Sequence, residues 1–522
     1  MKQSLLFTIF ALVCSIVIAS NFHVPGDYAS IQAALNACVA GDSVLVAPGV
    51  YYENLVWPQI DGISLCGTGS RDNTIIDASA QGRALGFLGD WQNPVITADT
   101  YVANLTFRNG YGNLNGAGIY CGYSSPTISN CIITRNQTSG PYVGSGGGFY
   151  CYFSSPQLNN VIIAKNSGYS GGGVHIDPSS SPVFNNCIIA DNTLSSPGGS
   201  YAAGVYCRYE VYPQFTNCTI TRNRSYLNAA IHLGEVSNPT IAFSTITDND
   251  EGIRLVSDAT AMLIHSSICG NSVTGINNLS SGTVSAFNNW WGSDSGPTAV
   301  NNPGGIGDAV IGAVNYSPWL MAPDADCPPV PPLGVSIGNL GEHSLTIEWL
   351  ANPEGDIDHY VVNYGTDSLL VIQPHNQTSN GLSATISGLM SGTRYCFQVK
   401  AVKSSGMEGW YSRTIMVTTS GTSVYDPLAP TAPLIISSYP NPFRDVASIH
   451  CRLTGSTPAK LKIFNLKGQL VHNSMLSATV TGEQQYSWDG TGINGTKLPA
   501  GIYLLELEQN SLRSHAKLIL AK

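Results

Sequence analysis

The chain has 522 residues and a formal net charge of −10, with only 11% of its positions charged. It carries no basic run of the kind a nucleic-acid partner requires, which sets that class aside. Its length leaves room for several domains. At the front, residues 1–20 read as a signal peptide: Lys2, an apolar run from Leu5 to Ile18, then Ala19-Ser20. No other apolar stretch is long enough to span a membrane. After signal removal the chain is therefore expected to be secreted or surface-attached, with no transmembrane segment. From Phe22 to about Ala80 the pattern is strand and turn: Gly41 to Gly49, Tyr51-Tyr-Glu53, Ile63 to Gly67, Thr74 to Asp77. Ser30 to Cys38 interrupts it as a short amphipathic helix. It is placed to cap the open end of the sheets that follow, since a bare edge invites aggregation.

The stretch from Leu105 to Asn271 repeats. Short apolar runs each end on an asparagine: Leu105-Thr-Phe-Arg-Asn109, Ile132-Ile-Thr-Arg-Asn136, Ile162-Ile-Ala-Lys-Asn166, Ile188-Ile-Ala-Asp-Asn192, Thr219-Ile-Thr-Arg-Asn223, Thr245-Ile-Thr-Asp-Asn249 and Ser267-Ile-Cys-Gly-Asn271. Successive asparagines are 27, 30, 26, 31, 26 and 22 residues apart, a fuzzy period typical of stacked solenoid coils. Small residues open each repeat, as in Gly146-Gly-Gly148 and Ala202-Ala-Gly204. A three-residue strand follows, such as Ile119-Tyr-Cys121, Phe149-Tyr-Cys151, Val174-His-Ile176, Val205-Tyr-Cys207 or Ile231-His-Leu233, and then a Ser/Pro turn. No repeat has a helical period.

Side chains alternate along a strand, so Ile119 and Cys121 are expected inside and Tyr120 outside. Coils about 4.8 Å apart bring like residues into columns. The asparagines are expected to form an amide ladder that satisfies turn backbone groups. The preceding column, Arg135, Lys165, Asp191, Arg222 and Asp248, reads as a solvated charge ladder. Cys121, Cys151 and Cys207 fall in one inward column and Cys131, Cys187 and Cys218 in another. They lack the short ligand spacing of a metal site and read as small core side chains. Cys38 with Cys66 is a possible disulfide that sequence cannot decide. Trp290-Trp291 is expected to seal the last coil, because large aromatics bury much area.

These features resemble the right-handed parallel β-helix of the pectate-lyase-like superfamily, over roughly Phe22 to Trp319. The Gly-Val-Tyr-Tyr-Glu run ending at Glu53 resembles the opening of pectin methylesterases, but that family's downstream Asp/Arg set is not found. The resemblance implies fold rather than activity, because one fold hosts many functions.

Residues 326–332, rich in proline, read as a stiff linker. Leu345 to Trp349, Tyr360 to Tyr364 and Ile386 to Ala401 resemble strands of a fibronectin type III domain over 333–420, with Trp349 in its core and Tyr395 as its corner tyrosine. A second linker, 421–436, leads to 437–522. There Tyr439-Pro-Asn-Pro-Phe443, Leu461 to Val471, Trp488-Asp-Gly490 and Leu498 to Leu507 are similar to the C-terminal sorting domain of type IX secretion substrates. That resemblance implies type IX secretion machinery as a partner and an outer-surface location on a Gram-negative-type bacterium. The fold class is all-β: a right-handed parallel β-helix over 21–325, then two small β-sandwich domains.

Polygalacturonase-like chemistry needs paired aspartates with a Gly-His-Gly stretch, which is not found. Calcium-dependent lyases need a carboxylate cluster and a Lys or Arg base. His175, Asp177, Arg208, Glu210, His232 and Arg254 sit on neighbouring coils as a possible acid–base patch, with Arg208 or His175 as its base. Polar side chains that simply face water on the outside of a sheet account for them equally well, and no catalytic residue, metal or cofactor is assigned. Binding fits better. Loops of varying length before each Gly/Ala start carry Tyr111, Tyr142, Tyr169, Tyr201 and Tyr226, and the adjacent strand face carries Tyr120, Tyr150, His175, Tyr206 and His232. Two neighbouring aromatic stripes suit the C–H faces of sugar rings, so an extracellular polysaccharide is the expected partner. Tyrosines that merely stack on each other, a lyase or hydrolase on the same face, and a structural surface component are the alternatives.

Overall fold

Short β-branched strands broken by turn residues cannot bury their apolar faces alone, and stacking them coil on coil solves this. The computed structural model describes residues 19–92, 96–139, 144–195, 201–224, 229–366, 375–420, 434–439, 441, 443–453, 457–477, 482–509 and 512–521. The expected signal peptide up to residue 18, most of the second linker, Tyr142 and Tyr226 lie outside them. Among the described residues the solenoid has three long sheets, of twelve, nine and eleven strands, called here the first, second and third in the order the chain visits them. One coil runs Thr127–Ser129, Ile132–Thr134, Phe149–Tyr152. Strand pairings within these three sheets are parallel, as in Ile132 with Ile162 and Ile162 with Ile188, and the register shifts at Pro297/Thr298 near the last coil. A minor sheet of four two-residue strands, Tyr111–Gly112 to Thr193–Leu194, lies between the second and third.

Inward columns fill the core. Leu158, Phe184, Phe215 and Ile241 are fully buried, and Phe184 stacks on Phe215 with centroids 4.7 Å apart. Each such side chain contributes about 1.5–3 kcal/mol of burial. Cys121, Cys151, Cys207, Cys131, Cys187 and Cys218 are buried thiols, and Cys38 and Cys66 are free thiols too. Trp291 is buried in this core, whereas Trp290 packs outside it with Cys269 and Val330.

The ladder forms. Asn136, Asn166, Asn192, Asn223 and Asn249 are buried; Asn136, Asn166, Asn192 and Asn249 each donate Nδ2 to the next side-chain oxygen at 2.9–3.1 Å, the last to Asn271, while Asn223 donates its Nδ2 to the Ile189 carbonyl. Asn223 Oδ1 also accepts from the Asn192 backbone at 3.2 Å, and the same pattern recurs along the row. The stack explains the glycines: a Cβ on Gly148 or Gly173 would lie 2.8 or 2.7 Å from a ladder amide nitrogen. Asp308 ends the row by accepting from the Asn271 side chain at 2.8 Å.

Two expectations need correction. Arg108 pairs with Thr134, so Asn109 belongs to the charge column and Gly110 takes the ladder position. Its amide donates to Asn136 Oδ1 at 2.8 Å. Between each Ser/Pro turn and the asparagine that ends the run, where one strand is expected, the chain makes two, as in Thr127–Ser129 and Ile132–Thr134. Asn130, Asn160, Asn186 and Asn217 turn the corner between first and second sheets at φ of 50–55°, a left-handed conformation that asparagine tolerates better than most residues.

The one helix among the described residues, Ile31–Ala37, buries Ile31, Ala34 and Leu35 against the first coils. Ser30 caps it, and the Glu53 carboxylate accepts from the Ile31 and Gln32 amides at 2.8 and 2.9 Å. That is a structural task for the Tyr-Tyr-Glu run. Among the described residues no helix is long and apolar enough to cross a membrane.

The proline segment is not a free spacer. Cys327 to Pro332 are buried. Thr245 donates to the Pro328 carbonyl at 2.5 Å, and Val330 donates to Glu354 in the next domain at 2.9 Å. That domain pairs a three-stranded with a four-stranded antiparallel sheet around buried Trp349, and Tyr395 Oη accepts from the Met390 amide at 3.0 Å. Its Trp410–Arg413 segment lies on the charge column. Trp410 Nε1 donates to Asp191 at 3.2 Å, Arg222 donates to the Tyr411 carbonyl, and Arg413 pairs with Asp248. The column expected to be solvated is covered here, and Arg222 is buried.

Residues 422–522 form a separate unit. Its two antiparallel sheets, of three and four strands, enclose Phe443, Trp488, Leu461 and Leu505. The first strand, Leu434–Tyr439, starts inside the stretch expected to be linker.

Candidate functional site

The outward positions of the third sheet make one continuous column. Tyr120 stacks on Tyr150 at 5.6 Å, Tyr150 contacts His175 at 5.0 Å, His175 contacts Tyr206 at 4.9 Å, and Tyr206 contacts His232 at 5.4 Å. The strands bring these side chains together as their register requires. They do not leave them open. Tyr150, His175, Tyr206 and His232 are buried, and Tyr120 is half-buried beneath the Arg83 guanidinium, 4.5 Å from its ring centre. The preceding loops supply the cover: Tyr201 stacks on Tyr206 at 4.4 Å, and Ser170 Oγ lies 3.0 Å from His175 Nδ1. The expectation of an open strand stripe is corrected on this point. Among the described residues, the loop tyrosines Tyr111, Tyr169 and Tyr201 do not form a second stripe. Tyr111 is exposed and in register with Gln137, which in turn pairs with Ser167, while Tyr169 and Tyr201 are half-buried.

Beneath the column lies a polar network. Asp177 is buried and accepts from Tyr150, while Arg208 Nε approaches its Oδ1 at 2.8 Å and His175 Nε2 its Oδ2 at 3.8 Å. Burial would raise the Asp177 carboxyl, but Arg208, His175 and Tyr150 outweigh it and hold the group below its ordinary value. Burial works against the Arg208 guanidinium too, and Asp177 more than offsets that, so the net shift is upward. Burial pushes the His175 and His232 imidazoles down to about 4 and the Tyr150 phenol well up. Of the six residues in the possible acid–base patch, this network unites His175, Asp177 and Arg208. Arg254 pairs instead with Glu251 at 2.7 Å. An arginine held charged is a poor base, and His175 is closed to substrate. Among the described residues no group of His, Cys, Asp and Glu is placed to hold a metal ion.

The open aromatic surface lies one step further, at the corner between the third and first sheets. Tyr123 and Phe153 occupy successive coils there and stack in parallel at 5.1 Å, with Tyr152 edge-on to Tyr123 at 5.5 Å. Two coils beyond Phe153, Tyr209 carries the Arg208 guanidinium 4.9 Å from its ring centre. Phe153, Tyr209 and nearby Tyr212 are 40–48% exposed. Tyr123, Phe153 and Tyr209 all have left-handed backbones, φ 50, 47 and 63°, where a bulky side chain is disfavoured. The sequence does signal them: each is the second residue after an inward cysteine, as in Cys121-Gly-Tyr123, Cys151-Tyr-Phe153 and Cys207-Arg-Tyr209.

Residues 61–198 and 147–306 match the family model described as right handed beta helix region. Residues 330–417 match the fibronectin type III domain, and 444–512 match the FlgD Ig-like domain. One curated relative, Chitinase A1 of Niallia circulans, is 31% identical over 162 residues, which is 30% of this chain. The match spans about a fifth of that relative's length, 21%. Among solved structures, the FN5 domain of Drosophila Lar matches 18% of this chain and 98% of its own at 25% identity, with a TM-score of 0.16. The chicken CNTN1 FN1-FN3 domains match 37% and 67% at 14% identity, with a TM-score of 0.18. Likenesses at such scores carry no weight for function.

Proposed function

We propose that this right-handed β-helix protein with a fibronectin type III domain works outside the cell and holds a polysaccharide along its third-sheet corner without cleaving it. The observation that carries the reading is the Tyr123–Phe153 pair, a half-buried ring stacked on an exposed one, both on backbone that disfavours bulky residues. Such a cost is retained where the side chain has a task. Aromatic faces and the Arg208 guanidinium offer a sugar both stacking surface and hydrogen-bond donors. Sites repeated on successive coils make weak contacts add up. The buried column of Tyr150, His175 and Tyr206 serves as the rigid backing of this corner. The chitinase relative supports a carbohydrate-related role outside the cell.

Replacing Tyr123 and Phe153 together by alanine is expected to reduce retention on the cognate polysaccharide at least about tenfold, if each ring is worth around 1 kcal/mol, with the thermal midpoint nearly unchanged. Retention equal to wild type defeats the reading.

The C-terminal unit is read as a type IX sorting domain, supported by its Tyr439-Pro-Asn-Pro-Phe443 opening and its Leu498 to Leu507 close. Deleting residues 437–522 should then trap a folded chain in the periplasm. Normal surface amounts of the truncated chain would refute it.

A further inference from the structure

We infer that the cleft between the second sheet and the fibronectin type III domain is a separate binding site for an anionic polysaccharide. The cleft encloses about 960 Å³. Its floor is the outer face of the second sheet, where Ile132, Ile162 and Ile188 repeat in register. Its roof is the Gly406–Tyr411 segment, including Trp410. From the coil of Arg108 to that of Thr219 the floor crosses four coil spacings, roughly 19 Å at about 4.8 Å each. That length accommodates several sugar rings.

Charge points to the ligand. The chain as a whole is acidic, at −10, yet five lining residues, Arg71, Arg108, Arg135, Lys165 and Lys400, are cationic and two, Asp72 and Glu408, are acidic. Arg108 is held by Asp77 at 2.8 Å and Lys400 by Glu408 at 2.5 Å. These pairs fix two of the cations in place at the walls. The arrangement along the charge column is uneven. Asp191, Arg222 and Asp248 take the contacts of the neighbouring domain, while Arg135 and Lys165 face the cleft. A low-dielectric recess with an excess of one sign focuses field and gathers counter-ions.

A sugar chain fits better than a peptide. An extended peptide gains its affinity from an open sheet edge, and this floor is a sheet face whose backbone groups are spent within the sheet. Side chains must do the recognition instead, and Asn160, Asn186 and Gln398 on the walls offer both donors and acceptors to hydroxyls. The choice of a glycan rests on the reading above, but the two sites do not share residues.

The test is calorimetric titration of the full chain with a hexa-uronate, a sulfated hexasaccharide, a neutral hexasaccharide and poly-aspartate of similar charge. The expected result is binding of at least one anionic sugar in preference to the neutral one. It should weaken about tenfold or more in the Arg135→Gln/Lys165→Gln double variant, since hydrogen bonds to charged groups are the stronger kind, and persist in the Tyr123→Ala/Phe153→Ala variant. The uronate and sulfate arms tell which anion is preferred. Anionic-sugar binding unchanged by the glutamine pair overturns the inference, as does poly-aspartate binding as tightly as the sugars. If neutral and anionic sugars alike bind through Tyr123 and Phe153, the cleft proposal fails and the corner proposal stands. If no sugar binds at either place, both fail.

Discussion

The second and third sheets are made from the same coils, and their outer surfaces are finished in opposite ways. The third sheet covers itself: its outward Tyr150, His175, Tyr206 and His232 are stacked in a column and roofed by loops of the solenoid. The second sheet carries isoleucines and a charge column and is covered by another domain, through Trp410, Tyr411 and Arg413. Loop length decides the difference. The connection from the second to the third sheet varies and is long enough to fold back over the third. The corner from the first to the second sheet is a tight asparagine turn, so that side has no loops to cover it and needs a partner. The binding surfaces proposed here lie where each cover stops.

The largest effect is expected on the self-covered face. Asp177 is the one buried carboxylate serving both Tyr150 and Arg208. Asp177→Ala leaves a partly buried guanidinium and a buried phenol without their acceptor, and removing one partner of such a pair costs roughly 3–5 kcal/mol. Chemical denaturation measures it. A loss below about 1 kcal/mol would mean the network is solvated and the face more open than its burial indicates.

Acid pH separates the face from the seam beside it. His175 and His232 have native values near 4 against about 6.5 unfolded. Between those values the unfolded chain binds more protons, so stability falls as pH drops from about 6.5 to 4, by roughly 2–3 kcal/mol for each group. Asp308, at the end of the asparagine ladder, has the opposite sign. Burial pushes its carboxyl up to about 6, against the three hydrogen bonds it accepts from Gly270 and Asn271. The native state keeps that proton longer than the unfolded chain, so its contribution is present below about pH 4 and is lost as pH rises through 6. Wild type should lose stability on mild acidification. His232→Gln should flatten that loss and Asp308→Asn steepen it. Identical slopes for all three chains would contradict the assignment.

The ladder itself divides the two faces. Asn192→Ala removes hydrogen bonds to Asn223 and to the Ile163 carbonyl and should cost about 1–3 kcal/mol. Asp191→Ala, one residue earlier, should also destabilise, because Arg222 and Trp410 both depend on that carboxylate. From sequence the second change would have been called neutral. The contrast shows what the sequence made legible. Repeating side chains declared the coils, the inward columns and the ladder, because each follows from local period and turn chemistry, whereas the fibronectin core with Trp349 and Tyr395 was legible through family resemblance. What covers a surface is decided by residues far along the chain. Asp191 meets Trp410 across 219 positions, and no local pattern marks that contact. The alternation correctly turned Tyr150 and Tyr206 outward, but outward is not exposed once a loop folds back. The Cys-x-aromatic repeat ending at Tyr123, Phe153 and Tyr209 is legible in the sequence, but it falls at the corner after each strand, where strand alternation no longer says which side chains stay open.

The smallest effect belongs to the rim of the domain-covered face. Arg413 reaches Asp248 from the neighbouring domain, and its side chain is 63% exposed. Water and salt screen such a pair, and exposed ion pairs are worth about 0–1 kcal/mol. Asp248 also keeps Arg224 at 3.2 Å, so it is not stranded when Arg413 is lost. Arg413→Ala should therefore shift the unfolding midpoint by less than about 1 kcal/mol, and less still in high salt. Trp410 should stay docked, because its bond to Asp191 and the Arg222 bond to the Tyr411 carbonyl are untouched. Quencher protection of the Trp410 share of the fluorescence, taken as the difference from the same chain carrying Trp410→Phe, reports the docking. Unchanged protection places the hold on the buried Asp191–Arg222 pair. A quencher-accessible Trp410 in Arg413→Ala would instead make the rim pair the latch, and the cover of the second sheet would then be one that ionic strength can lift.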